Sequence, residues 1–541
     1  MRFQIIVVEY DQPHIYPPYG AMYIARTLMN QGHEVRIEVS NDWHNLAESE
    51  LCTRIRDFQP DVVGFSATIF LAYAYVKKAS QYIRQQFPAL PIIVGGSLTS
   101  AAQVLLSHSD VDIAVIGEGE ATIAELAECL QSGCAYDDVR GIAYKKNGKV
   151  IVTPKRPPIA RLEKLGYPAF ELVPMQRYLN NIHDVLRAFP SYRKWDARFY
   201  EPHRNTPMLR VPTARGCISK CSFCYRHMRG IRHFDLDYLF DYVEYLMKRF
   251  RTNQFSFGDE CFSSSKQWSR KFIQRLRERN LDIMFQILGM RVDTVDRQIL
   301  QDLNSLGCWM IEYGFESGSP KMLTVMDKGA TVEDNINAAI WTREAGIYTS
   351  PAFVLGMPGE NDETIKESVS FLKRINYDYF QFTYAMPVPG TPLYDYALLK
   401  GYIPDQDKYL ESVCRITPNE FLNSKAFINF TDCRRSAMMQ WPKMLESALR
   451  QNSDSRRAYY GLKFKNAYKY VKRDGLMRFA KGFVIRKIEA LRLKTADMSR
   501  FGQPGDNAGP GTDMPPEGKP LYSIIEQLRS KNASDGSLPT H

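Results

Sequence analysis

Cys217, Cys221 and Cys224 stand within eight residues in a CxxxCxxC arrangement, directly after a run that reads as a β-strand. Thiolates are the ligands of iron–sulfur clusters and of zinc. Three thiolates on one tight loop can hold three corners of a [4Fe–4S] cluster and leave the fourth iron open to a small molecule. The competing chemistry is a zinc site that takes its fourth ligand from His227 or His233 nearby. The other seven cysteines, Cys52, Cys129, Cys134, Cys261, Cys308, Cys414 and Cys433, are scattered singly. Ten cysteines in a chain of 541 residues do not make a disulfide scaffold. The distribution predicts a reducing compartment with one metal site, hence a cytoplasmic protein.

The loop opens a series of alternating strands and helices, an arrangement that places chemistry at strand C-termini. Strands are expected at 209–213, 254–257, 284–288, 310–315, 348–355 and 379–384, and helices at 236–249, 266–279, 294–306, 331–345 and 361–374. Six such units predict a partial (β/α)6 barrel over 206–400. An earlier series precedes it. Strands at 2–8, 35–39, 62–66, 92–94 and 113–116 alternate with helices at 21–30, 46–58, 73–86, 101–106 and 121–130. These predict a doubly wound, Rossmann-like α/β domain over 1–135, with its ligand at the carboxyl ends of the strands. Those ends carry Ser66, Gly95, Gly96, Gly117 and Gly119, small residues that let a large ligand approach the backbone. The turn after the first strand lacks GxGxxG, which argues against a dinucleotide.

Residues 136–205 read as a connector with a hairpin tip at 145–148. Residues 401–500 are mixed, then helical and basic, with Lys and Arg dense over 463–494. In 501–541 Gly, Pro, Ser, Asn and Asp dominate, and a disordered tail is expected apart from a short helix at 521–529. The net charge of +10 suits anionic ligands, nucleic acid or a membrane surface alike and selects no partner. No apolar run approaches the roughly 18 residues of a membrane span, so only peripheral membrane contact stays open.

With Phe223 before its last cysteine, the loop resembles that of the radical S-adenosylmethionine (SAM) superfamily. The preceding Arg215–Gly216 and the following Tyr225 resemble the branch that carries an N-terminal cobalamin-binding domain. The resemblance implies that the open iron chelates the amino and carboxylate groups of SAM. The reduced cluster would then cleave SAM to a 5′-deoxyadenosyl radical that abstracts hydrogen. Gly258, Asp259 and Glu260, ending the second barrel strand, resemble the family's segment for the SAM amino group; an acid pair at a helix start is the structural alternative. Arg291 resembles the arginine near the SAM carboxylate, against an ordinary surface role. Glu316 and Ser317 lie in a GxESG segment that would contact polar groups of SAM, with Lys328 and Gly329 after it. Gly356 opens the adenine-side loop, and 387–394 is typical of the same branch.

In the N-terminal domain, Pro18, Gly20, Ser66, Gly95, Gly96, Gly117, Glu118 and Gly119 match positions of cobalamin-binding domains. The DxHxxG element does not carry over: Asp11 and His14 are present, but no glycine follows His14 at the required spacing. The resemblance therefore implies base-off cobalamin without a histidine lower ligand. It further implies a methyltransferase that passes a methyl group from SAM, by way of methylcobalamin, to an unactivated carbon or a phosphorus of a small-molecule substrate. An external donor such as flavodoxin or ferredoxin would supply electrons. Relatives with the same two domains perform oxidative cyclisation or rearrangement instead, and no motif separates the two. A cluster- or cobalamin-based sensor that contacts nucleic acid is the reading from another class, and the intact SAM positions argue against it. The substrate is not legible; Tyr384, Tyr192, Phe199 and Tyr200 fit a pocket or a core equally.

Overall fold

The computed structural model describes residues 1–8, 16–40, 48–67, 72–181, 206–258, 260–349, 351–377, 380–414, 421–424, 426–449 and 519–534. The N-terminal strands β1 (Arg2–Val8), β2 (Glu34–Ser40), β3 (Val62–Ser66), β4 (Ile92–Gly95) and β5 (Ile113–Val115) form a parallel sheet in the order β2-β1-β3-β4-β5. From Gln4 to Val8 β1 is buried throughout, as a strand covered on both faces must be. The chain reverses direction across the sheet between β1 and β3, and that switch point opens a crevice at the strand C-termini. The hairpin expected at 145–148 exists, with β6 (Ile142–Lys146) and β7 (Lys149–Val152). It pairs antiparallel onto β5, so the N-terminal sheet runs past residue 135 to Val152.

A two-residue strand, β8 (Asn180–Asn181), lies antiparallel against β9 (Pro207–Val211). Next comes a separate antiparallel ribbon, β10 (Ala214–Cys217) with β11 (Gly230–His233), whose connecting loop carries Cys221 and Cys224. The strands β12 (Gln254–Phe257), β13 (Met284–Met290), β14 (Cys308–Glu316), β15 (Ala352–Leu355) and β16 (Gln381–Tyr384) then continue from β9 in parallel, in the order β9-β12-β13-β14-β15-β16. This is the six-stranded partial barrel expected from the alternation. Its helices start where a side chain accepts the free amides of the first turn: Asp235, Ser265, Asp296, Thr331 and Asn361.

Several boundaries differ from the sequence pattern for local reasons. The helix expected at 101–106 is a 3-10 turn, Ser97–Ala101, followed by an α-helix, Ala102–His108. The helix expected from 294 starts at Arg297, because Asp296 caps it by accepting from the Ile299 amide at 2.9 Å. The strand expected over 348–355 contracts to Ala352–Leu355, with Tyr348 keeping an isolated bridge to Met310. Proline at 351 has no amide to continue the ladder.

Cys129 and Cys134 are not separate thiols: they are bonded to each other across the C-terminus of the helix Glu120–Ser132. The C-terminal helix, Leu521–Ser534, is longer than expected and docks on the helix Pro392–Leu399. It buries Leu521, Ile524 and Ile525 and pairs Arg529 with Asp395 at 2.9 Å. The basic stretch 463–494 lies outside the described residues. Among the described residues no helix is long and apolar enough to cross a membrane.

Candidate active site

The loop between β10 and β11 is fastened at its middle. Ser222, fully buried, donates its amide to Met326 O at 2.8 Å and its hydroxyl to Val325 O at 3.2 Å, and its carbonyl accepts from the Leu393 amide at 2.9 Å. Ser219 is a second hub. Its amide donates to Cys217 Sγ at 3.4 Å, its carbonyl accepts from Arg226 and its hydroxyl from Arg291. Arg226 also reaches Tyr522 of the C-terminal helix at 3.4 Å. The cysteines are thus presented from a loop tied to four other parts of the fold.

Cys221 is buried and Cys224 is exposed. A hydrogen bond with the neighbouring Cys261 thiol, followed by that of the Ser219 amide, holds Cys217 below the ordinary thiol range. Burial, then the negative charge of Glu316 and Cys217, pushes Cys221 up. Cys224 lies within electrostatic reach of both other thiols. The donor set fits a cubane cluster, which takes three thiolates on three different irons. Among the described residues no three His, Cys, Asp or Glu side chains converge as they would around a single ion. Of the two histidines considered as zinc ligands, His233 stacks on Trp268 at 4.0 Å and meets Ser264 Oγ at 3.1 Å, while His227 lines the cavity described below.

The strand ends of the barrel converge on this loop. Glu316 ends β14 in the left-handed region, at φ +62°, and is nearly buried against Lys328 Nζ at 2.8 Å. Gly314 makes room for that pair, since a Cβ there would lie 2.1 Å from Glu316 Oε1. Burial disfavours the Lys328 cation, but the charges of Glu316 and Cys221 outweigh it and raise its pKa. Gly258 follows β12 at φ +126°, where a Cβ would meet Leu288 O at 2.2 Å. Glu260 accepts from the His227 amide at 3.2 Å and faces the cavity. Asp259 lies outside the described residues.

Arg291 is beside the loop, but its fork is taken by Asp293, at 2.9 Å and 2.7 Å. Ser317 is turned into the core, with Ser368 Oγ at 3.3 Å and the Ser319 amide at 3.1 Å. Gly356, at φ +85°, donates its amide to the buried Glu360. Phe223 is half-buried against the core. Tyr384 is a core residue that donates to Met438 O at 3.2 Å. Tyr192, Phe199, Tyr200, Asp11 and His14 lie outside the described residues.

A cavity of about 550 Å³ runs from the switch point of the N-terminal sheet to the cluster ribbon. Pro18, Gly20, Ser66, Gly95, Gly96, Gly117, Glu118 and Gly119 all line it, as do Arg215, His227 and Glu260 from the barrel side. A Cβ built on Gly20, Gly64, Gly95 or Gly117 meets nothing within 4 Å, so these glycines leave an open floor that a flat macrocycle would fill. The Glu118 carboxylate itself is engaged by arginines. Sequence reasoning missed Ser222 and Ser219, and named Lys328 without its pairing to Glu316; the only signal for them was proximity to the motifs.

The comparisons agree with this geometry. The family model "Radical SAM superfamily" matches residues 211–372, and "B12 binding domain" matches residues 6–127. An uncharacterized methyltransferase of Pyrococcus horikoshii is 28% identical over 395 residues, covering 72% of this chain and 80% of the relative. An anaerobic magnesium-protoporphyrin IX monomethyl ester cyclase of Rubrivivax gelatinosus is 26% identical, covering 73% and 68%. The structure of the radical SAM methyltransferase TsrM from Kitasatospora setae, with cobalamin and a [4Fe–4S] cluster bound, superposes with a TM-score of 0.58 at 19% identity. It covers 74% of this chain and 78% of that one, and shows the shared fold. The site is thus that of a cobalamin-dependent radical SAM enzyme. The chain carries a radical SAM domain with a B12-binding domain ahead of it, and its cofactors are a [4Fe–4S] cluster, SAM and cobalamin.

Proposed function

We propose that the protein transfers a methyl group from SAM to an unactivated carbon or a phosphorus of a small-molecule substrate. The observation that carries this reading is the single cavity shared by the glycine floor of the B12-binding domain and the ribbon that bears Cys217. When bound, cobalamin supplies a methyl carrier and the cluster supplies the electron that cleaves SAM. Cys217, Cys221 and Cys224 would hold three irons of that cluster. Glu260 and the Glu316–Lys328 pair offer polar contacts for SAM at the strand ends. Gly95 and Gly117 keep the floor flat enough for the corrin, while Met228 and Phe234 present apolar walls that exclude water. The chain lacks the DxHxxG element that would offer cobalamin a histidine, so base-off binding is the state this sequence would favour. The compartment is cytoplasmic, a reading supported by the eight cysteines that stay unbonded among the described residues beside the one Cys129–Cys134 disulfide, and a small electron-transfer protein such as flavodoxin or ferredoxin would reduce the cluster.

The test uses enzyme reconstituted anaerobically with iron, sulfide and hydroxocobalamin, reduced and given CD₃-labelled SAM. The label should appear in the extracted corrinoid. Replacing Cys217, Cys221 and Cys224 with Ala should abolish both the cluster absorbance near roughly 400 nm and the release of 5′-deoxyadenosine. Release of 5′-deoxyadenosine with no label on the corrinoid would refute methyl transfer. The cyclase relative favours a second reading, oxidative ring closure. A product that has lost hydrogen, rather than one about 17 mass units heavier from the CD₃ label, would establish that reading.

A further inference from the structure

The register of the cluster ribbon sets two cations face to face. Arg215 on β10 pairs directly with Arg232 on β11, with Cys217 two residues further along. Like charges directly opposite on an antiparallel pair destabilise it. The opposing charge comes from the other domain. Glu118, in the loop after β5, takes Arg215 at 3.1 Å and both terminal nitrogens of Arg232 at 2.9 Å. Glu120 takes the other arm of Arg215 at 2.5 Å. The side chains of Glu118 and Glu120 are 9% and 7% exposed, so bulk water screens little of this.

The connector closes the network. The Ile159 amide donates to Glu118 Oε2 at 2.7 Å, and Arg232 donates back to Ile159 O at 2.6 Å. Burial opposes ionisation of Glu118, but the bonds from Arg232, Ile159 and Arg215 overcome it and hold the carboxyl below its ordinary range. Gly117, Glu118, Gly119 and Glu120 also line the cavity, so the loop that satisfies the arginines is itself part of the cavity wall.

We propose that Glu118 and Glu120 are positioning residues. They hold the two-arginine cluster ribbon shut and thereby fix the cluster against the cobalamin cavity. The ribbon is electrostatically incomplete without the N-terminal domain, so the cluster loop reaches its geometry only when that domain is docked. The inference rests on the cofactor assignment above and goes beyond it in naming what sets the distance between the two cofactors.

The test is pulsed EPR on the full chain, loaded with iron, sulfide and hydroxocobalamin and reduced so that cluster and cob(II)alamin each carry an unpaired electron. The wild type should give one narrow dipolar separation between the two spins. Glu118→Gln keeps the shape but leaves Arg215 and Arg232 opposed, and should lose that single narrow separation and lose cluster iron. Glu118→Gln combined with Arg232→Gln removes the repulsion and should regain iron, a rescue that a merely structural role for Glu118 would not produce. If Glu118→Gln does not fold, Glu120→Gln, which removes one ion pair, is read the same way. A wild-type separation and iron content in these single variants, or no recovery in the double variant, overturns the proposal. Absence of either spin signal from the wild type overturns the cofactor assignment itself, which distinguishes the two failures.

Discussion

Gly216 is the residue on which the cluster ribbon is most narrowly built. It precedes Cys217 at φ +84°, and a Cβ there would lie 2.4 Å from Gly230 O and 3.3 Å from Met228 O. A carbon–oxygen contact is comfortable at about 3.3 Å, so Gly216→Ala must part the two strands by roughly 0.9 Å. Its left-handed φ costs about 1–2 kcal/mol for an L-residue, and the overlap adds about 1–3 kcal/mol by analogy with overpacked sites. Gly230 is the internal control. It sits on the facing strand at φ +80°, but a Cβ there meets nothing within 4 Å. Gly230→Ala should therefore show only the conformational cost of about 1–2 kcal/mol. The assay is denaturant unfolding of the cofactor-free protein, with iron per chain measured after anaerobic reconstitution. Gly216→Ala should be the less stable by about 1–3 kcal/mol and should lose iron, whereas Gly230→Ala keeps it. Equal stability and equal iron in the two variants would refute the close-approach argument.

Two further outcomes follow from other parts of the site. Glu360 is fully buried, and burial pushes its carboxyl up to about 8 even though the amides of Gly356 and Met357 pull it down. Between its ordinary value of 4.5 and about 8 the folded protein therefore holds a proton that the unfolded chain has released. Stability should fall as pH rises through that window and gain no further slope above it. Glu360→Gln should remove this component when unfolding midpoints are measured across the same range; an unchanged slope would show that Glu360 is not its source. At Gly95, Leu should enter the cavity without a clash, because a Cβ there meets nothing within 4 Å. Gly95→Leu should retain the melting temperature of the apo-protein while cobalamin bound per chain falls. Full cobalamin occupancy would mean that the corrin does not lie on this floor.

The CxxxCxxC loop, the two alternating series and the glycines at the strand ends were legible because each depends on local spacing. A period of hydrophobicity names a strand or helix whatever surrounds it. The pattern expected the cysteines on a loop directly after the first barrel strand; the structure carries them on a separate ribbon and its loop, while the glycines at the strand ends line the cavity. Glu118 illustrates where local reading stops. The motif around it assigned it to a cobalamin crevice; the residue lines the cavity, but its carboxylate belongs to Arg215 and Arg232. Arg291 shows the same limit: its position beside the loop followed from order along the chain, while its bidentate partner Asp293 emerged only with the fold.

By itself the sequence determined the cysteine spacing, the order of the motifs along the barrel and the two alternating series, since all are written in neighbouring residues; the cluster type and the cobalamin domain came with the resemblance those motifs carry. Tertiary structure alone decided which charges meet. Glu118 and Arg232 are more than a hundred positions apart, and Tyr522 touches Arg226 across nearly three hundred. Such partners have no periodicity to announce them, because an ion pair depends on distance in space and on the exclusion of water, neither of which is a property of a short stretch of chain.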